Sequence, residues 1–173
     1  TAPLLEDRPL YRIPRTLLFA SGDASVAFGM ARSCINAFMD LAGAKVPRAM
    51  PNLLRDQSMV QVMIGQCEAW LRTGKAFLNE AVREMWAAAS ANTITLDHRA
   101  NLRLATTHGI PLSAQIVDAI YSAAGATAVY EDNVLQRYFQ DIHVITQHMQ
   151  SRLSHYELVG QYWLGLPIDE NRL

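Results

Sequence analysis

The stretch Arg15-Thr-Leu-Leu-Phe-Ala-Ser-Gly-Asp-Ala-Ser-Val-Ala-Phe-Gly-Met-Ala-Arg-Ser-Cys-Ile-Asn-Ala-Phe-Met-Asp-Leu-Ala42 decides how the rest of the chain reads. Within it Leu17, Ser21, Ala24, Phe28, Ala31, Ile35, Phe38 and Ala42 recur in alternating steps of four and three. At 3.6 residues per turn those positions make one stripe, the seam by which a helix packs in a bundle. Many of them are small, which lets neighbouring helices approach closely. Pro14 suits the start of such a helix, because its missing N–H would have no partner there.

The spacing continues downstream. A second stretch runs from about Asp56, a candidate N-cap, to Ala89, with Val60, Ile64, Cys67, Leu71, Gly74, Leu78, Ala81, Met85 and Ala88 in its seam. A third follows Thr95, another good N-cap, and runs to about Ala124 on Leu102, Ala105, Leu112, Ile116, Ile120 and Ala123. Gly109 and Pro111 interrupt it and predict a kink or a short break. The fourth runs from Val134 to before Gly165. Leu135, Ile142, Met149, Tyr156 and Trp163 recur there every seven residues, joined by Tyr138, Ile145 and Val159. Turn signals fall between these stretches, and nothing reads as a strand. The expectation is an all-α antiparallel four-helix bundle of long helices, the third kinked near Pro111.

Composition narrows the setting. The 173 residues suit one domain, and 50% are hydrophobic while 18% are charged, against about 25% charged in ordinary globular chains. Helices one and two carry apolar residues beyond their seams, such as Leu18, Val26, Trp70 and Phe77. Something else is expected to cover that surface, which predicts an oligomer rather than a clean monomer. A net charge of −1 gives no basic surplus for nucleic acid or an anionic membrane. No apolar run approaches the roughly 18 residues of a membrane span, and no leader is evident. The apolar, loop-like start at Thr1-Ala-Pro-Leu-Leu5 reads either as the trimmed end of something longer or as ordinary processing. Cys34 and Cys67 lie inside helical seams and are expected to be buried free thiols in a reducing cytoplasm.

The candidate chemistry is sparse. His98 and His108 fall on helix three, and His143, His148 and His155 on helix four. No Glu-x-x-His pair repeats on two helices, and the cysteine spacing excludes a zinc cluster, so no metal site is expected. Phosphate loops and Gly-x-Ser-x-Gly elbows are missing. On one continuous helix four, Arg137, Asp141, His148, Arg152 and His155 would share a face. Arg137 and Asp141 could pair at i, i+4. That face reads either as solvated or as a cleft bordered by His148, the side chain type best suited to proton exchange near neutral pH. Gly125, just past helix three, is a natural stop with positive φ, and its bare backbone could approach a ligand phosphate.

Four motifs in the right order resemble one family. Ser122-Ala-Ala-Gly-Ala-Thr-Ala128, followed by Leu135-Gln-Arg-Tyr-Phe-Gln-Asp141, looks like the C-terminal bundle of the acyl-CoA dehydrogenase superfamily. The flavin-dependent aromatic monooxygenase branch shows Gly-Gly-x-Ala, then Leu-Gln-Arg-x-Phe-Arg-Asp, then a His seven residues later, where His148 stands here. Gly29-Met-Ala-Arg32 matches Gly-x-Ala-Arg of the first bundle helix, and Glu157-Leu-Val-Gly-Gln-Tyr-Trp-Leu-Gly-Leu166 matches the closing motif. Ala126, Val134, Gln140 and Gln161 depart from the pattern, and Gln140 weakens any inference of ion pairing at a subunit interface.

The resemblance implies that residues 1–173 are a single C-terminal bundle domain, a fragment or isolated domain without the family's N-terminal helical and middle β domains. It implies a cytoplasmic homo-oligomer, dimer or tetramer, that uses FMN or FAD supplied in reduced form by a separate flavin reductase, with an aromatic or similar small molecule as substrate. His148 would meet the substrate near the flavin, and the Gly125 and Ala126 backbone would touch the flavin nucleotide across a subunit boundary. Many dehydrogenases of the family carry a carboxylate base just after the His148 position. Met149 stands there, with no Asp or Glu between Asp141 and Glu157, which favours the monooxygenase branch. The alternatives are an FAD-dependent acyl-CoA dehydrogenase and a non-enzymatic helical interaction module.

Overall fold

A computed structural model describes residues 7–173; the loop-like start read at residues 1–5 lies outside them. Every regular element among the described residues is a helix, with no strand. A short α1 (Pro9–Arg12) leads into α2 (Arg15–Ala44), capped by Pro14. Then come α3 (Ser58–Ala91), α4 (Leu96–Ala124), α5 (Val134–Thr146) and α6 (Ser154–Trp163), with tight single turns between several of them. Together they form a helical bundle. Its central member is α4, which packs most extensively on α2 and α3 and also carries α5 and α6.

The seams read from the sequence are the buried faces. Leu17, Ala24, Phe28, Ala31, Ile35, Phe38 and Ala42 of α2 are buried, as are Val60, Cys67, Leu71, Gly74, Leu78, Ala81, Met85 and Ala88 of α3. Asp56 is not the cap of α3. It closes a preceding tight turn, where its carboxylate accepts from the Leu53 N–H, and the helix starts one residue beyond Gln57. Of the apolar residues beyond the seams, Leu18, Trp70 and Phe77 pack against the core, and Val26 is exposed. Cys34 and Cys67 are free and buried, and burial pushes their thiols up to about 12 and about 11.

One contact sets the spacing of the three long helices. The Phe28 ring of α2 sits between Gly74 of α3 and Gly109 of α4. A Cβ at either glycine would lie 2.8 Å from that ring, and at Gly74 also 2.9 Å from Leu112. Gly109 therefore serves packing, not interruption. The short break read at Gly109–Pro111 does not occur, since α4 runs helical across it. Pro111 withdraws the donor that the Thr107 carbonyl would otherwise have. Packing on several sides of α4 holds the helix through that loss.

The fourth long helix is not continuous. It ends at Thr146, makes a tight turn at Met149–Ser151 and restarts at Ser154. Consequently the seven-residue stripe fails past Ile142: Met149 and Trp163 are more than half exposed. Two side chains account for the break. The Arg103 guanidinium of α4, itself 2% exposed, donates to buried Gln150 Oε1 at 2.6 Å. The Ser151 hydroxyl lies within reach of the His148, Thr146 and Ile145 carbonyls. A hydroxyl that satisfies helix-end carbonyls substitutes for the next helical N–H and stabilises termination.

Outside the core, Arg32 of α2 grips Glu68 of α3 with both terminal nitrogens, and Arg72 adds a third contact at 3.2 Å. Arg32 of the Gly29–Arg32 motif is thus a tie between two helices. Its hydrogen bonds hold the Glu68 carboxyl down at about 2.

Two outcomes follow from these contacts. Gly109→Ala and Gly74→Ala should each lose about 1–3 kcal/mol in urea melts through overpacking against Phe28. Gly29→Ala, which meets nothing within 4 Å, should gain about 0.5–1 kcal/mol from helix propensity; equal effects at all three sites would refute the wedge. Glu68→Gln should cost about 1 kcal/mol at pH 7, the bidentate contact being partly solvated. Glu68 is depressed in the fold, so its contribution is present above the ordinary value of 4.5 and is lost as pH falls from there toward about 2. The gap between wild type and Glu68→Gln should close over that window, as read by thermal melts.

Candidate functional site at the break between α5 and α6

The break presents His148. Its backbone N–H donates to the Ile145 carbonyl at 3.0 Å, and its own carbonyl accepts from the Ser151 N–H and hydroxyl, so the main chain is pinned on both sides. The imidazole faces α2, where Nδ1 stands 2.9 Å from Asp23 Oδ2. That carboxylate oxygen is inaccessible to solvent and has no aligned hydrogen bond, so the contact is an ion pair only when the imidazole carries its second proton. Nε2 has no hydrogen bond among the described residues, and about half of the side chain is exposed. A carboxylate beside Nδ1 favours the tautomer with its proton there and leaves the Nε2 lone pair directed outward. Such an imidazole can take or return a proton at Nε2 while the carboxylate steadies the charged form.

Asp23 was not among the residues singled out from the sequence. A signal existed, because it is the one charged residue between Arg15 and Arg32, set among Ser21, Gly22, Ala24 and Ser25. The chain separation of Asp23 and His148 hid the pairing until the bundle closed.

The other histidines are engaged elsewhere. His98 Nδ1 braces Thr95 at the start of α4, and His108 meets the Tyr156 hydroxyl at 3.2 Å. His143 Nε2 pairs with Asp118 at 2.9 Å, with Phe139 edge-on to its ring. His155 Nε2 meets the Met149 carbonyl at 3.0 Å. Burial, and then the charges of Arg103, Arg172 and Arg152, hold His155 below the usual histidine range, against the backbone bond that raises it. Among the described residues no three His, Cys, Asp or Glu side chains converge as metal ligands.

Gly125 has φ +61° and ψ −150°, a conformation natural only to glycine, and a Cβ there would meet nothing. Gly125 and Ala126 are exposed, so their backbone is approachable. The turn is braced from below, where Lys45 Nζ donates to the Ala124 carbonyl and to Thr127 Oγ1, both at 2.7 Å. The fold does not bring this turn to His148. The two lie at opposite ends of α5, whose residues Val134–Thr146 span roughly 20 Å at 1.5 Å per residue. Arg137 and Asp141 are exposed on α5 between the two sites, and no ion pair joins them in the single chain. The single polar face expected to run from Arg137 to His155 is divided by the break, which puts Arg152 and His155 on a separate element.

Comparison with known proteins bears on these features. The family model described as acyl-CoA dehydrogenase, C-terminal domain, matches residues 21–152. The chain is 29% identical over 161 residues to the indole-3-acetate monooxygenase of Pseudomonas putida, covering 92% of this chain and 41% of that protein. It is 26% identical to the oxygenase component of p-hydroxyphenylacetate 3-hydroxylase of Acinetobacter baumannii, covering 84% of this chain and 35% of that protein. Among solved structures it superposes on the HsaA monooxygenase of Mycobacterium tuberculosis with a TM-score of 0.84 at 21% identity, covering 96% of this chain and 44% of that one. On XiaF of a Streptomyces species, solved with FADH2 and glycerol, the TM-score is 0.86 at 20% identity, covering 92% of this chain and 41% of that one. The chain thus spans well under half the length of these relatives. A helical bundle over the described residues, and a family model that matches residues 21–152, lead to one assignment: this chain belongs to the acyl-CoA dehydrogenase C-terminal domain family.

Proposed function

We propose that the chain is the C-terminal bundle domain of the oxygenase component of a two-component flavin monooxygenase that hydroxylates an aromatic or similar small substrate. The observation that carries this reading is the His148–Asp23 pair, with Nε2 free at the break and a thioether at the next position. A dehydrogenase needs a base that removes an α-proton, and Met149 cannot be one. A monooxygenase of this type needs a proton-exchanging group beside the substrate, which His148 supplies. The relatives' names point the same way, since they include monooxygenases of indole-3-acetate and p-hydroxyphenylacetate.

In this reading His148 Nε2 accepts the proton of a substrate hydroxyl, or donates a hydrogen bond once charged, and Asp23 steadies the imidazolium through Nδ1. His148 is the catalytic residue and Asp23 a positioning residue. Reduced flavin, FMN or FAD delivered by a separate reductase, supplies together with O2 the oxygen that is transferred. The exposed Gly125 and Ala126 backbone offers N–H and C=O groups to the flavin nucleotide. The length of α5 separates that turn from His148 in one chain, so the flavin contact at Gly125 belongs to the site of a neighbouring copy in a homo-oligomer. Val134, Arg137, Asp141 and Val144 form an exposed stripe along α5 that ends at His148 and suits such a neighbour. The setting proposed is cytoplasmic; no described helix is long and apolar enough to cross a membrane.

The test uses the full-length protein with reduced flavin, O2 and phenolic or indolic acids. His148→Ala should lower oxygen-dependent product about 10²–10⁴-fold. Asp23→Asn should lower it less and move the pH profile of turnover, with partial rescue by Asp23→Glu. Wild-type product yield from His148→Ala would sink the assigned role. Rapid dye reduction by an acyl-CoA without oxygen-dependent product would move the protein to the dehydrogenase branch.

A further inference from the structure

Behind the His148 break lies a pocket of about 240 Å³ whose lining includes Arg103, Arg152, Arg172, His155, Gln150 and Ser154. Its lining holds three guanidinium groups and no carboxylate side chain. None of the three arginines takes part in an ion pair among the described residues.

Arg103 is the informative member. It is 2% exposed on the central helix, so its charge is desolvated. Gln150, its hydrogen-bond partner, is neutral, and Arg103 Nε is buried with no partner at all. A buried cation without an anion is costly, and an anionic ligand would offset that cost. The surroundings add to the deficit: burial and the nearby Arg99 charge bring the Arg103 guanidinium down to about 10. Arg99 itself is engaged with backbone carbonyls of Glu170 and Leu173. His155 Nδ1 is likewise buried and unpartnered beside the pocket.

We infer that this pocket is a binding site for an oxyanion, held by Arg103 from beneath and by Arg152 and Arg172 at the rim. Guanidinium forks match the two oxygens of a carboxylate and equally those of a phosphate. Two sources share that chemistry: the carboxylate of an aromatic acid and the phosphate of a flavin nucleotide. The pocket is built on the same break as the catalytic imidazole, since Met149 and Gln150 line it directly after His148. An anionic tail anchored there would orient the rest of its molecule toward that break. Arg103 does two jobs in this arrangement, one holding Gln150 and so the break, the other charging the pocket. The inference deepens the oxygenase reading only in naming these two sources.

The experiment reads binding, not turnover. Calorimetry on the full-length protein compares phenylacetate with phenylacetamide and FMN with riboflavin. The expected result is an anion preference of about tenfold or more in one pair, which tells the substrate source from the flavin source. Arg152→Gln with Arg172→Gln, both at exposed positions, should abolish that preference and leave binding of the neutral analogue unchanged. Equal binding within both pairs, or an equal loss of neutral and anionic ligands in the double variant, would overturn the site. Failure of the oxygenase reading would show separately, as absence of oxygen-dependent product with the anion preference intact.

Discussion

The Phe28 ring, held between two glycines that cannot carry a side chain, is the contact on which the bundle depends. It fixes how closely α2 meets both α3 and α4, because the ring fills the space a Cβ would need at Gly74 and Gly109. A well-packed interior does not yield by several tenths of an ångström without cost. The functional consequence is positional. Asp23 precedes Ala24, and a Cβ at Gly109 would stand 3.6 Å from the Ala24 methyl. Asp23, on the same helix as Phe28, meets His148 at the break. The Arg32–Glu68 tie secures the same pair of helices farther along.

Against that rigid trio, the rest of the chain is organised by one buried charge. Arg103 draws Gln150 inward, and Ser151 closes the end of α5 on itself. Both acts convert what would be a continuous helix into two short ones with an exposed imidazole between them. The discontinuity leaves the His148 imidazole half-exposed beside Asp23 and gives Arg103 its amide partner. The oxygenase reading and the proposed anion pocket draw on this single discontinuity from its two sides.

How much of this was legible in the chain depends on the range of the forces involved. The seams of α2 and α3 follow from local periodicity, because burial of one helix face is the same requirement wherever the partner lies. Gly125 as a positive-φ stop was likewise local. At Gly109 the local signal is ambiguous, since glycine inside a helix marks either a break or a close approach and only the partner ring distinguishes them. The break in the fourth helix is hidden for a sharper reason. Its seven-residue repeat runs unbroken through Met149, and nothing in that repeat registers a guanidinium on another helix. The low charge content had suggested apolar residues left for outside partners, yet Leu18, Trp70 and Phe77 pack within the chain. Val26 is exposed as expected, and Phe19, Val144, Leu153 and Trp163 join it.

By itself, then, the sequence determined the helical class, the buried seams of the first two long helices, and the family motifs that single out His148. These are properties of spacing and residue type along one element, and they survive without knowing what that element touches. The tertiary structure alone decided that Asp23 is the partner of His148, that Gly109 receives a ring, that α4 holds through Pro111, and that Arg103 stands uncompensated in a pocket of like charges. Each depends on residues distant in the chain meeting at a few ångströms, and at that range direction and desolvation, which periodicity does not encode, set the outcome.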